Sequence, residues 1–170
     1  AIDRPIFQTM PDAGIYNTAS VERTVYEPLL RLEYDAEDTD PASPHFNTPT
    51  LMRSNGQSLI ISIARTLTAD AAPVITRVHH DSLGRLTGYT DPGGHRKEQF
   101  YDLVDRVVRI VDPNSANDTT FEYDNASNLI RQTDDRGVVT LTDYDGLNRK
   151  LTSYEEGNEE ATRIEWTYDF

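Results

Sequence analysis

Phe100 to Asp124 reads FYDLVDRVVRIVDPNSANDTTFEYD, and this stretch decides the fold. It holds a Tyr-Asp pair, a short turn, a run of β-branched residues, an Asp-Pro loop and a second run that closes on another Tyr-Asp. The same order recurs on both sides of it. His80-Asp81, Tyr101-Asp102, Tyr123-Asp124, Tyr144-Asp145 and Tyr168-Asp169 follow one another at intervals of 21, 22, 21 and 24 residues. Self-similarity at a nearly fixed period of this size marks a repeat architecture.

Four residues beyond the first four of these Asp stand Arg85, Arg106, Asn128 and Arg149, preceded by Gly84, Asp105, Ser127 and Asn148. Gly, Asp and Asn tolerate a left-handed backbone, so this position is predicted to be the αL residue of a hairpin loop of about three to five residues. Ser127 fits that role least well. Each turn is followed by a strand-length run: LTGYT from Leu86, VVRIV from Val107, LIRQT from Leu129 and KLTSY from Lys150. The runs close on Asp91-Pro92-Gly93-Gly94, Asp112-Pro113-Asn114-Ser115, Asp134-Asp135-Arg136-Gly137 and Glu155-Glu156-Gly157. Strand, turn, strand, loop is the reading. On the strand entering each Tyr, residues two apart share a face, which pairs Phe121 with Tyr123 and Trp166 with Tyr168. These aromatics are expected to bury a common face, although Gln99 and Thr142 at aligned positions make it less than uniformly apolar. Each turn Arg, a planar fork of donors, is expected to pair with a neighbouring Asp.

HDSLGRLTGYTDPGG, YDLVDRVVRIVDP, YDNASNLIRQTDDRG and YDGLNRKLTSYEEG together resemble consecutive YD repeats of the RHS/YD-repeat family, whose pattern is roughly YDxxGRLxxxxDPxG. The resemblance covers Val74 to Phe170. Its repeat-defining residues are Gly84, Arg85, Asp91, Pro92, Tyr101, Asp102, Arg106, Asp112, Pro113, Tyr123, Asp124, Tyr144, Asp145, Arg149, Tyr168 and Asp169. It departs from the pattern at His80, at the turn glycines replaced by Asp105, Ser127 and Asn148, and in the last two units, which lack Asp-Pro. The resemblance implies an all-β chain of tandem antiparallel β-hairpin repeats forming part of a spiralling sheet or β-shell, within which RHS proteins enclose a C-terminal toxin or effector segment. The partner implied is the rest of the same polypeptide, and the location implied is secreted or cell-surface. The family's self-cleavage depends on a distinct C-terminal core motif that no stretch here matches, so no catalytic residue is carried over. An alternative follows from YD repeats of secreted or cell-surface proteins, which are similar to modules proposed to bind carbohydrate or protein. Exposed Tyr89, Tyr154 or Trp166 would then stack on sugar rings.

The repeats divide the chain into residues 1–73, an irregular and diverged β segment with an acidic loop at 35–49, and residues 74–170, four repeats and the start of a fifth. The sequence begins at Ala1 rather than Met and stops just past the fifth Tyr-Asp, so a larger polypeptide is expected, whose further repeats cover the open edges. Arg4 to Ile15, with Pro5, Pro11 and Gly14, reads as an irregular lead-in. Thr24 to Tyr34 reads as a strand or strand pair with Pro28 at an edge or break; a helix over Ser20 to Leu32 would place that proline in its interior. Asp35 to Pro49, DAEDTDPASPHFNTP, reads as a solvated acidic loop. Asp35, Glu37, Asp38 and Asp40 offer oxygen ligands for calcium, but an EF-hand starting at Asp35 needs Gly and Glu where Asp40 and Phe46 stand. Asn55-Gly56 is a hairpin signal between TLMR and SLIISIARTL, marking a diverged repeat. The stretch from Tyr26 to Leu51 resembles the segment preceding YD repeats in bacterial RHS proteins of the toxin-complex type.

Composition excludes more than it assigns. A net charge of −13 with only two lysines, Lys97 and Lys150, argues against a nucleic-acid surface, which needs clustered cations. With no cysteine there are neither disulfides nor thiolate metal sites. No apolar run approaches a membrane span and no secretion signal is visible. The chain has no GxSxG, phosphate-loop or HExxH pattern. His79 and His80, adjacent in a predicted strand, point to opposite faces, and His80 stands in for the repeat's Tyr. Acid pairs such as Asp134-Asp135 sit in loops, and no general acid with an orienting partner is identifiable. Asn117-Asp118-Thr119 and Asn125-Ala126-Ser127 match the short glycosylation sequon. The expectation is a non-enzymatic segment without cofactor or metal.

Overall fold

A computed structural model describes residues 6–9 and 21–169. The chain divides into two compact units, residues 1–95 and residues 96–170. In the first, β1 (Ile6–Thr9), β2 (Val21–Glu27), β3 (Leu30–Tyr34), β4 (Thr50–Ser54), β5 (Ile60–Arg65), β6 (Val74–His80) and β7 (Leu86–Thr90) each pair antiparallel with the next. In the second, β8 (Arg96–Tyr101), β9 (Val107–Val111), β10 (Thr119–Tyr123), β11 (Leu129–Thr133), β12 (Val139–Tyr144), β13 (Lys150–Glu155) and β14 (Ile164–Glu165) do the same. This is the all-β, tandem antiparallel hairpin order read from the repeats.

An aspartate builds each turn from within. In the loop from Asp102 to Arg106, the Asp102 N–H donates to the Arg106 carbonyl at 2.9 Å. Asp102 Oδ1 accepts from the N–H groups of Val104 and Arg106 at 2.9 and 3.0 Å. A carboxylate placed this way supplies the bonds a backbone turn would otherwise lack, which is why Asp is favoured at such positions. The residue before the Arg is left-handed throughout, with φ of 84° at Gly84, 66° at Asp105, 69° at Ser127 and 60° at Asn148. Ser127, the weakest candidate by residue type, is held there by the same bonds: Asp124 Oδ1 accepts from Ala126 and Asn128 N–H at 2.8 and 2.9 Å.

A second device recurs in the strand leaving each turn. Phe100 pairs with Arg109 but Tyr101 with Val107, leaving Val108 as an extra residue in β9. Ile130 and Leu151 are bulged in the same way opposite Tyr123 and Tyr144, and Thr87 and Ile61 opposite His80 and Ser54. A bulge bends its strand and re-aims the facing side chain. Here it sits beside the position that carries Tyr.

Several expectations are corrected. The aromatics do not bury a common face: apart from Pro49 no apolar side chain among the described residues is buried, and Phe121 and Tyr123 are half-buried. Single strands that touch only sequence neighbours leave nothing to cover either side chain row completely. Trp166 and Tyr168 lie beyond β14 rather than within a strand, since the helical turn α2 (Glu159–Thr162) shortens the entry. Residues 6–9 of the lead-in form β1; the rest of Arg4 to Ile15 lies outside the described residues.

In the N-terminal unit some readings hold and others change. Thr24 to Tyr34 lies in the strand pair β2 and β3, with Leu29 at φ 60° beside Pro28 in the turn. Asn55-Gly56 does lie in the turn of a hairpin, β4 to β5, through a longer loop: the left-handed residue is Ser58, and Asn55 Oδ1 accepts from Gln57 and Leu59 N–H at 2.9 and 3.0 Å, as the repeat Asp does. Nor is Asp35 to Pro49 simply solvated. Asp35 caps the short helix α1 (Ala36–Thr39), and Asp38, 7% exposed, accepts from the Thr48 hydroxyl at 2.7 Å. Asp35 and Asp38, two of the candidate calcium ligands, are spent on this cap.

Candidate functional site: a clamp between successive hairpins

Two repeat residues act within the turn. Arg106 Nε donates to Asp102 Oδ2 at 2.7 Å, and Arg85 to Asp81 and Arg149 to Asp145 at the same distance. In the repeat that lacks Arg, Asn128 Nδ2 donates to Asp124 Oδ2 at 2.8 Å. These pairs are partly exposed, so their energetic weight lies in fixing geometry more than in raw attraction.

The third residue acts between turns. Tyr123 donates its hydroxyl to the Val107 carbonyl at 2.8 Å, Tyr144 to Leu129 at 3.1 Å and Tyr168 to Lys150 at 2.9 Å. In each case the acceptor directly follows the Arg or Asn of the preceding turn. The Arg106 guanidinium lies 4.7 Å from the Tyr123 ring centre, and that of Arg149 lies 4.3 Å from Tyr168. Arg106 Nη1 also donates to the Asp124 carbonyl at 3.0 Å and to Ser127 Oγ at 3.2 Å. One turn's Asp therefore orients an Arg, and that Arg holds the next turn's Tyr and backbone. Cation, ring and hydroxyl together form a clamp.

The clamp's electrostatics favour ionised Asp. At Asp102 and Asp81, loss of hydration pushes the carboxyl upward most, but the combined bonds from Arg106 and Arg85 outweigh it and the pKa falls below the ordinary value. The Arg149 N–H is the largest cause of lowering at Asp145, and the Asn128 amide is the largest at Asp124. Burial raises the Tyr144 phenol, with a smaller push from the Asp124 charge.

The Asp-Pro positions lie at the opposite ends of the strands; the Asp91 loop reuses the whole turn and the longer Asp112 loop only its first bonds. Asp91 Oδ1 accepts from His95 N–H at 2.8 Å, with Gly94 left-handed. Asp112 Oδ1 accepts from Asn114 N–H at 3.0 Å, and its Oδ2 pairs with Lys97 at 3.0 Å. Pro92 and Pro113 directly follow the Asp, at a loop position whose N–H these bonds do not need, which suits a residue without a donor. Asp134 makes the same loop with Val138 and Gly137. That shared geometry was missed in the sequence, although Gly94 and Gly137 stand three residues after their Asp, as Gly84 does.

Other candidates separate. His79 Nε2 meets Thr90 Oγ1 at 2.8 Å, while His80 Nδ1 is buried without a hydrogen-bond partner. No group of metal-binding side chains occurs among the described residues. The hydroxyls of Tyr123, Tyr144 and Tyr168 are engaged by backbone, and these rings are half-buried, so a row of free sugar-stacking tyrosines is not favoured. Tyr89, 42% exposed, is not part of the clamp. No described helix is long and apolar enough to cross a membrane.

Hairpins joined one to the next by a recurring Asp-Arg-Tyr clamp define a tandem β-hairpin repeat protein. The family model described as RHS Repeat matches residues 101–139. A search of curated proteins returned no match. Among solved structures the fold is similar to a chain of the Photorhabdus luminescens Tc holotoxin pore, with a TM-score of 0.68 and 22% identity over 85% of this sequence. It is also similar to TcdB2-TccC3, with a TM-score of 0.70 and 22% identity over 89%, and to TcdB2-TccC3-Cdc42, with 0.68 and 22% over 86%. The sequence spans 8% of each of these chains.

Proposed function

We propose that this chain is a structural wall segment of a larger RHS-repeat polypeptide, part of a β-shell that encloses a C-terminal toxin or effector segment, and that it performs no chemistry of its own. The observation that carries the reading is the clamp. Strands that among the described residues bury no apolar core are held in register by bonds to the neighbouring hairpin, which is what a thin, extensible wall requires. The fold likeness to Tc toxin chains supports it. On this reading the clamp residues Asp102, Arg106, Tyr123, Asp124, Tyr144, Asp145, Arg149 and Tyr168 set the spacing of the wall. The partner is the rest of the same polypeptide, and the assembly works in a secreted or cell-surface setting.

Limited proteolysis of the full-length polypeptide tests the reading. The segment C-terminal to the repeats is expected to survive trypsin while the repeats are folded and to be digested once denaturant opens them. Equal digestion rates in both states refute enclosure.

A further inference from the structure

The repeat that begins at Tyr123 carries Asn128 where its neighbours carry Arg106 and Arg149. In those neighbours the guanidinium bonds its own turn's Asp and lies over the next Tyr ring. Arg106 goes on to reach the next turn's Asp124 carbonyl. The shorter Asn128 amide reproduces the bond to Asp124 Oδ2 and meets Asn148 Oδ1 at 2.9 Å, but extends no further. Three things follow at this one interval. No cation lies over the Tyr144 ring among the described residues, although rings at the equivalent Tyr123 and Tyr168 are covered. The Asp145 carbonyl, counterpart of Asp124, keeps only its own turn's bond from Asn148 N–H at 3.0 Å. A pocket of about 440 Å³ opens, lined among others by Asp124, Asn128, Tyr144, Asp145, Asn148 and Tyr154, with no Lys or Arg in its wall. Pockets that hold small ligands run from about 300 to 1,000 Å³.

We propose that this pocket binds a guanidinium group, which takes the place that Arg106 and Arg149 fill in the neighbouring clamps. The planar fork donates to the Asp124 carboxylate and the Asp145 carbonyl while its face lies on the Tyr144 ring. An ammonium, a hydrated point charge, matches this arrangement less well than a fork that both stacks and donates in plane. Two sources share the chemistry: a free alkylguanidine, or an arginine side chain on another polypeptide segment.

The test is an NMR titration of the whole isotope-labelled chain, following the Tyr144 ring and the Asn148 amide. The probes are agmatine, a capped Gly-Arg-Gly peptide and its Gly-Lys-Gly counterpart. Saturable shifts confined to the pocket are expected with both guanidines, weaker at high salt and at least about threefold weaker for the lysine peptide. Asn128→Arg supplies the group from within and is expected to weaken both guanidine titrations at least about tenfold, a change of about 1.4 kcal/mol. Tyr144→Leu, which leaves the turn bonds of Asp124 and Asp145 in place, serves as the second variant and is also expected to weaken binding. A peptide that binds more tightly than agmatine assigns the occupant to an arginine side chain, and equal affinities assign it to a small cation. No saturable shift in the wild-type chain overturns the proposal, as do an Asn128→Arg chain and a Tyr144→Leu chain that both titrate like wild type.

Discussion

Tyr123→Phe removes one oxygen and leaves the ring, so it isolates the bond that ties one hairpin to the next. That hydroxyl donates to the Val107 carbonyl at 2.8 Å from a half-buried position. The net value of such a bond is about 0.5–1.5 kcal/mol. Partial exposure lets water replace it in part, so a loss of about 1 kcal/mol is expected. The ring's face adds a second contribution: Arg106, 4.7 Å from its centre, contributes about 0.5–1 kcal/mol through the cation–ring contact. A double-mutant cycle of Tyr123→Leu with Arg106→Met should therefore show coupling of that size, while Tyr144→Leu with Asn128→Ala, where no cation covers the ring, should be additive within about 0.5 kcal/mol. Native-state amide exchange is the assay. One kcal/mol appears as about a fivefold rise in exchange rate, and in a nearest-neighbour repeat the rise should be confined to β9, β10 and β11 and absent from β4 and β5. Unchanged exchange in Tyr123→Phe, or coupling at Tyr144 and Asn128 equal to that at Tyr123 and Arg106, would refute the clamp.

Acid should loosen the turns first. The folded pKa of Asp81, Asp91, Asp102, Asp112, Asp124, Asp134 and Asp145 is lowered, so the unfolded chain binds more protons in the acid range. Their contribution is fully present above the ordinary aspartate value of about 3.9 and is lost as pH falls through the lowered values, which thermal melts from pH 7 to pH 2 will show as a decline confined to the acid limb. Gly137→Ala is expected to destabilise by about 1 kcal/mol, because φ of 84° strains any L side chain even though nothing crowds the new methyl, whereas Gly146→Ala, with open space and no positive φ, should be neutral or stabilising by up to about 1 kcal/mol in urea melts. Asn55→Asp puts the repeat's own turn residue into a loop of the same geometry and should leave the melting temperature unchanged or higher; a clear drop would show that this loop is not the same turn.

The hairpin order was legible because period, turn residue and strand run coincide in every unit from Asp81 onward. Even the left-handed position could be placed, since Gly84, Asp105 and Asn148 are residues that accept it. The Arg-to-Asp pairing was legible too, as spacing within one loop fixes it. What could not be read is what crosses between units. The carbonyl that accepts the Tyr hydroxyl stands just before the bulged Val108, Ile130 or Leu151, and β-branched or aliphatic residues there look like ordinary strand. The expectation of a buried aromatic face failed for a related reason: alternation tells which residues share a face, not whether anything packs on it. At Asp35 the run of carboxylates hid a capping box, because Asp38 stands where Glu or Gln is usual.

Electron cryo-microscopy of the full-length polypeptide tests the central claim most directly. The account predicts that these hairpins form continuous wall around an enclosed space holding density for the C-terminal segment. The same hairpins in a sheet with solvent on both faces, and the C-terminal segment outside it, would contradict it.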